Sequence, residues 1–201
     1  MLRYAITNGA RFGADQHALL QGLEADAARW ARDGIDFVQL REKQLPVRER
    51  MRVAEAMMGA LRGSRTKLLV NGRADVAVAV HAHGVHLTSH ADELTPGQVR
   101  HVYASAGLYA PVVSLTCHTL EEVQRAREER ADLIVFGPVF EKQADGRRVR
   151  EGCGLDTLAQ AVKAGAPLPV LALGGVTAAN AEECIAAGAC GIAGIRMFAS
   201  V

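Results

Sequence analysis

Residues 68–87, LLVNGRADVAVAVHAHGVHL, constrain the fold more than any other stretch of the chain. The unbroken apolar run Leu68-Leu69-Val70 lacks the alternation of a half-exposed strand, so it fits a strand covered on both faces, as in a parallel sheet. Asn71-Gly72-Arg73 breaks the run, a short helical pattern follows, and a second strand ends at His86-Leu87. Polar residues at the carboxyl end of a parallel strand stand where α/β proteins place ligands. The stretch therefore predicts both an architecture and a site.

The same alternation recurs along the chain. Strands are expected near 2–7, 35–40, 67–70, 84–87, 111–115, 132–136, 169–173 and 190–194, with helices over 15–33, 47–62, 74–81, 95–105, 119–130, 154–164 and 177–187. Thr119 followed by Glu122 reads as a capping box, and Thr177 precedes an Ala-rich amphipathic run. Gly34, Gly63, Gly107, Gly165 and Gly188 fall where helices should stop. Eight such units mean a (β/α)8 TIM barrel or a doubly wound open sheet. No G-x-G-x-x-G follows the first strand, whereas LALGGV (171–176) and GIAGIR (191–196) place glycines after the seventh and eighth strands, where barrels bind phosphate. The expected fold is thus a single-domain α/β TIM barrel over 1–201. Val201 comes directly after the eighth strand, so the last outer helix is expected to be lacking and a homodimer is one way to cover that gap.

Composition narrows the function classes. With 201 residues, 49% of them hydrophobic, one domain with a large core is expected. A net charge of +1 argues against a nucleic-acid partner. No run of 18 apolar residues exists to span a membrane, and MLRYAITNGA reads as a strand rather than a leader, so a cytoplasmic protein is expected. Cys117, Cys153, Cys184 and Cys190 form no CxxC pair and are expected to be reduced.

In a barrel the strand ends converge on one mouth. They would bring together Thr7-Asn8, Gln39, Arg41 and Lys43, Asn71 and Arg73, His86 and Thr88, Thr116-Cys117-His118, Gly137-Pro138, Gly174-Gly175 and Gly194-Ile195-Arg196. Such a mouth is cationic although the protein is nearly neutral. Arg41, Lys43 and Arg73 could hold an anion together with glycine-loop amides. Each also has a structural reading: Arg41 paired with Glu42, Arg73 paired with Asp75, Gly174-Gly175 as a tight turn, His86 as a hydrogen-bonded structural histidine. His118 is the sharpest candidate, because imidazole both donates and accepts a proton near neutrality. It opens a helix, where the dipole favours the neutral ring; its alternative is a capping role. Cys117 beside it is expected to point away.

At these residues the sequence resembles the thiamin-phosphate synthase/TenI family of TIM barrels, through YAIT, VQLREK, LLVNGRAD, GVHL, SLTCHTLEEV, ADLIVFGPVF, PVLALGGV and AGACGIAGI, in order over most of the chain. The resemblance implies an enzyme of thiamin biosynthesis acting on a thiazole phosphate. One branch condenses hydroxymethylpyrimidine pyrophosphate with thiazole phosphate, using magnesium held by two aspartates. The other aromatises a carboxythiazole phosphate with a histidine acid/base and no metal. Against the synthase pattern Asn-Asp-Arg this chain has Asn71-Gly72-Arg73; Asp92 in TSHADEL is displaced from the second metal position; and FEKQADGRRVREGCGL replaces the segment that grips pyrophosphate, with Lys142, Arg147 and Arg148 at unmatched spacing.

These departures make a metal-free thiazole tautomerase the first expectation. It assigns acid/base catalysis to His118, substrate contacts to Gln39, Arg41, Lys43, Asn71, Arg73 and Thr116, and phosphate to Gly174, Gly175, Gly194 and Ile195. Thr116 stands where the family usually has serine. Magnesium, with Asp92 as a ligand, belongs to the alternative, a thiamin-phosphate synthase. A non-catalytic binder of thiazole or thiamin phosphate is the third reading.

Overall fold

The computed structural model describes residues 1–90, 92–144 and 147–199, and for 142–144 and 147–150 the backbone alone. Its strands are β1 (Leu2–Ile6), β2 (Phe37–Leu40), β3 (Lys67–Asn71), β4 (Gly84–Leu87), β5 (Val112–Cys117), β6 (Leu133–Phe136), β7 (Lys142–Ala144), β8 (Arg147–Arg150), β9 (Val170–Leu173) and β10 (Gly191–Gly194). Between them run helices α1 (Gln16–Arg32), α2 (Val47–Ala60), α3 (Ala74–Ala79), α4 (Pro96–Ser105), α5 (Leu120–Glu128), α6 (Gly154–Gly165) and α7 (Ala181–Ala186). All strands but β7 and β8 close into one parallel barrel in the order β1-β10-β9-β6-β5-β4-β3-β2. This is the TIM-barrel architecture expected from the sequence.

Alternation along each strand sorts side chains between two cores. Tyr4, Ile6, Leu69, Leu133, Val135, Leu171 and Ala193 fill the barrel interior. Their neighbours Ala5, Leu68, Val70, Ile134 and Ala172 pack outward beneath the helices. That is why Leu68-Leu69-Val70 shows no polar alternation: all three are fully buried, on opposite faces.

Three expectations need correction. β5 runs to Cys117 rather than ending at 115, so Thr116 lies on the strand and His118 is the first residue beyond it. α7 begins at Ala181, not 177, because residues 177–180 close a separate turn in which Asn180 Oδ1 accepts from Thr177 N at 2.7 Å. The segment after β6 is not a plain loop: β7 and β8 form an antiparallel hairpin. Gly165 ends α6, as its place in the sequence led one to expect.

The ends of the sheet need no partner to join. β1 pairs directly with β10, from Leu2 opposite Gly191 to Ala5 opposite Gly194. After β10 a short 3-10 turn (Arg196–Phe198) folds back onto α1, where Arg29 Nη2 and Trp30 Nε1 donate to the Phe198 carbonyl at 2.6 and 2.8 Å. No described helix is long and apolar enough to cross a membrane. The closure is tight: a Cβ on Gly191 would lie 2.1 Å from the Leu2 carbonyl oxygen. Gly191→Ala should therefore push β1 from β10 and cost about 3 kcal/mol or more, read as a lowered urea midpoint.

Candidate functional site

The upper interior of the barrel turns polar. In register across β3, β4 and β5 stand Asn71, His86 and Ser114. All three are buried, as is Gln39. Buried polar groups must find partners in one another, and here they do. Gln39 Nε2 donates to Asn71 Oδ1 at 2.8 Å. His86 Nδ1 meets Ser114 Oγ at 2.7 Å and Tyr4 Oη at 3.0 Å, while its Nε2 meets Thr116 Oγ1 at 2.7 Å. Among the described residues, Thr88 Oγ1 at the end of β4 is buried without a partner.

Above this floor the β2–α2 loop carries Arg41 and Lys43, both exposed. The strand extension is fixed by Thr7, whose Oγ1 accepts from Arg41 N at 2.9 Å. Arg41 does not pair with Glu42: that carboxylate is buried and accepts from Gly9 N at 2.8 Å and Gln44 Nε2 at 3.0 Å. Arg50, buried beneath, donates to the carbonyls of Lys43 and Leu45 at 3.0 Å each, which stiffens the loop. Sequence reasoning missed Glu42 and Arg50. A charged residue that helical periodicity places on a buried face, as Arg50 is placed in α2, was the available signal. The charges of Arg41 and Lys43 reach the His86 ring, which puts both cations at the mouth. Arg73 is engaged differently: Nε and Nη2 hold Asp75 at 2.8 and 2.5 Å, the pairing its sequence neighbourhood offered.

His118 stands between β5 and α5. Its backbone N–H donates to Glu122 Oε2 at 2.5 Å, and Thr119 with Glu122 completes the capping box read from the sequence. Burial alone would raise the Glu122 carboxyl, but hydrogen bonds from His118, Ser89 and Thr119 hold it below its ordinary value. The imidazole is exposed, and its Nδ1 is bonded to the Gly137 carbonyl at the end of β6. A carbonyl can only accept, so Nδ1 carries the proton and Nε2 of the neutral ring keeps a free lone pair. Cys117 is fully buried on the outer face, and burial pushes its thiol up to about 12. It is not a nucleophile.

The glycine turns after β9 and β10 are packed as well as open. A Cβ on Gly174 would lie 2.5 Å from Pro138 Cα, and one on Gly175 2.6 Å from Phe140 Cβ. Both glycines adopt positive φ, +93° and +66°. Val139 N and Phe140 N donate to the carbonyls of Leu173 and Gly174 at 2.8 and 3.0 Å, stitching the segment after β6 to the β9 turn. Among the described residues the N–H groups of Gly175, Val176 and Ile195 have no acceptor. Unpaired amides on adjacent strand ends can receive an anion.

Gly72, which stands where the synthase pattern has Asp, takes φ +62°, and Glu93 leans into the space a side chain would fill, its Oε1 3.3 Å from where a Cβ would sit. Asp92, the residue expected near this place, is exposed. Among the described residues no three His, Cys, Asp or Glu side chains cluster as a metal cage. The side chains of Lys142, Arg147 and Arg148 lie outside the described residues.

The buried floor makes a pH prediction. Burial, then the charges of Arg41 and Lys43, push the His86 imidazole down to about 3 from its ordinary 6.5. Between those values the unfolded chain holds a proton that the folded ring refuses, so stability falls as pH drops through the window and is flat above it. The slope is up to about 1.4 kcal/mol per pH unit. His86→Leu should flatten it, measured as urea midpoints between about pH 7 and 5.

Comparison with known proteins places this geometry. The thiamine monophosphate synthase family, TMP-TENI, matches residues 4–198. A putative thiamine-phosphate synthase 2 from Aquifex aeolicus is 35% identical, covering 97% of this chain and 96% of its own. A thiamine-phosphate synthase from Methanoculleus marisnigri is 38% identical over 84% of this chain and 76% of its own. The solved thiamine phosphate pyrophosphorylase from Pyrococcus furiosus superposes with a TM-score of 0.76 at 26% identity, covering 99% of this chain and 88% of that one. The family match over residues 4–198, with 35% identity to a relative across nearly the whole of both chains, shows that this chain belongs to the thiamine monophosphate synthase (TMP-TENI) family of thiamin-biosynthesis enzymes.

Proposed function

We propose that the barrel mouth binds a thiazole phosphate and joins it to a pyrimidine pyrophosphate, the reaction of a thiamin-phosphate synthase. The observation that carries this reading is the match along nearly the whole chain to relatives named for that activity. It ranks the transferase above the tautomerase that the departures at Gly72, at Asp92 and in the segment after β6 led the sequence reading to prefer. The free amides of Gly175, Val176 and Ile195 receive the thiazole phosphate, while Arg41 and Lys43 offset the negative charge of the second substrate. The rigid floor of Gln39, Asn71, His86 and Thr116 orients the rings above it.

This reaction calls for a divalent cation beside the pyrophosphate. Magnesium is commonly held by one or two carboxylates plus substrate phosphates rather than by a protein cage. Glu93, leaning into the space beside Gly72, fits the part of such a carboxylate. When bound, the cation would neutralise charge on the departing pyrophosphate. With no three-residue cage among the described residues, the protein alone should hold manganese only weakly, and pyrophosphate should raise the affinity at least about tenfold by supplying further oxygens, read by electron paramagnetic resonance.

A second reading is favoured by one specific observation. His118, with Nδ1 on the Gly137 carbonyl and Nε2 free, is an oriented acid/base of the kind a thiazole tautomerase needs. Purified protein given both condensation substrates with magnesium should form thiamin phosphate, and His118→Gln should retain most of that rate. If carboxythiazole phosphate is aromatised instead, with a fall of about 10²–10⁴-fold in His118→Gln, the tautomerase reading replaces the first. Tight thiazole phosphate binding with neither turnover would leave a binder.

A further inference from the structure

We propose that His86 is a positioning residue that sets the hydroxyl of Thr116 as a hydrogen-bond donor toward the ligand in the mouth; the ligand's identity rests on the reading above. The argument is a count of protons. Tyr4 Oη, Ser114 Oγ and His86 Nδ1 form a closed triangle with sides of 3.0, 3.1 and 2.7 Å. Tyr4 and Ser114 are fully buried and His86 nearly so, and among the described residues the two hydroxyls have no other partner.

Each side of the triangle carries one proton at most. If Nδ1 were protonated, three protons would compete for the two oxygens. Whichever way they turned, one hydroxyl proton would face a nitrogen without a lone pair. Folded proteins avoid stranding a buried donor in that way. With Nδ1 unprotonated the count closes: one hydroxyl donates to the other, and that one donates to Nδ1. Burial keeps the ring neutral, so its single proton must sit on Nε2.

Nε2–H then donates to Thr116 Oγ1 across 2.7 Å. The oxygen of Thr116 is used as acceptor, so its own proton is free to turn into the mouth. Thr116 is half-buried at the upper end of β5, two residues before His118. The group it suits is an oxygen or nitrogen acceptor bearing no proton, such as a phosphate oxygen or an unprotonated ring nitrogen. The network thus runs in one direction, from Tyr4 and Ser114 through the ring to the ligand, and the buried hydroxyls choose the tautomer.

The test has two arms on the intact protein. Long-range proton–nitrogen correlation on uniformly nitrogen-15-labelled protein, with His86 assigned by its loss in His86→Gln, should show the Nε2–H tautomer throughout pH 5–8, and Tyr4→Phe with Ser114→Ala should release it to a tautomer mixture. Calorimetry with thiazole phosphate should show about a tenfold loss in Thr116→Val, near-native affinity in Thr116→Ser, a similar loss in His86→Leu, and no further loss in the double variant. An Nδ1–H tautomer in wild-type protein, or losses that add in the double variant, would overturn the proposal. A wild-type protein that shows the Nε2–H tautomer but binds no thiazole phosphate would overturn the reading of the ligand while leaving the tautomer assignment standing.

Discussion

Strict two-residue alternation in a closed sheet buried on both faces governs this molecule. Every second side chain of a barrel strand enters an interior that side chains fill. The lower layers can be apolar, and Tyr4, Leu69, Leu133 and Leu171 fill them. At the level of Asn71, His86 and Ser114 the same positions are polar, and their hydrogen-bonding groups have to be satisfied within the barrel. The amide pair of Gln39 and Asn71 and the chain from Tyr4 to Thr116 are that solution. A floor of interlocked donors and acceptors has little freedom left to lose, so a ligand set down on it meets groups already oriented.

The glycine turns above the floor show two constraints satisfied by one residue type. Gly174 and Gly175 are required by the approach of Pro138 and Phe140, whatever binds there. The same backbone conformation leaves the amides of Gly175 and Val176 without acceptors among the described residues. Packing explains why these residues are glycine, and the unpaired amides explain what the turn can do. The segment after β6 is coupled to the site through this contact, and His118 is coupled to the segment through the Gly137 carbonyl. Residues from β5, β6 and β9 therefore form one mechanical unit around the mouth.

The sequence made the barrel readable because apolar runs separated by helical patterns recur eight times, and the phosphate end because its glycines follow the last two barrel strands. Pairing choices were harder to read. Arg41 had Glu42 next to it, yet adjacent residues near a strand end face opposite ways, and Glu42 turned inward to Gly9. Arg73 had Asp75 two residues on, and there the helix start brought them together. The triangle around His86 depends on contacts across 28 to 110 residues of sequence. No local pattern encodes such contacts. The hairpin β7–β8 was hidden for the opposite reason: its short strands pair only with each other, outside the barrel, so no buried periodicity marks them.

Position 72 shows how a site can lose a side chain and keep a charge nearby. A glycine at φ +62° exposes its backbone and removes the Cβ that a carboxylate would need, but the vacated space is taken by Glu93 from the loop after β4. A carboxylate on a longer stem reaches the same neighbourhood with more rotamer freedom, and so costs more entropy to fix than an aspartate held on the strand end. Among the described residues no three His, Cys, Asp or Glu side chains form a metal cage, so desolvation of a bare cation would be poorly repaid. The electrostatics improve when phosphate oxygens arrive with the cation, since they bring the negative charge the protein lacks. Under the proposed synthase reading, glycine at position 72 would therefore leave metal recognition more to the substrate than to the protein.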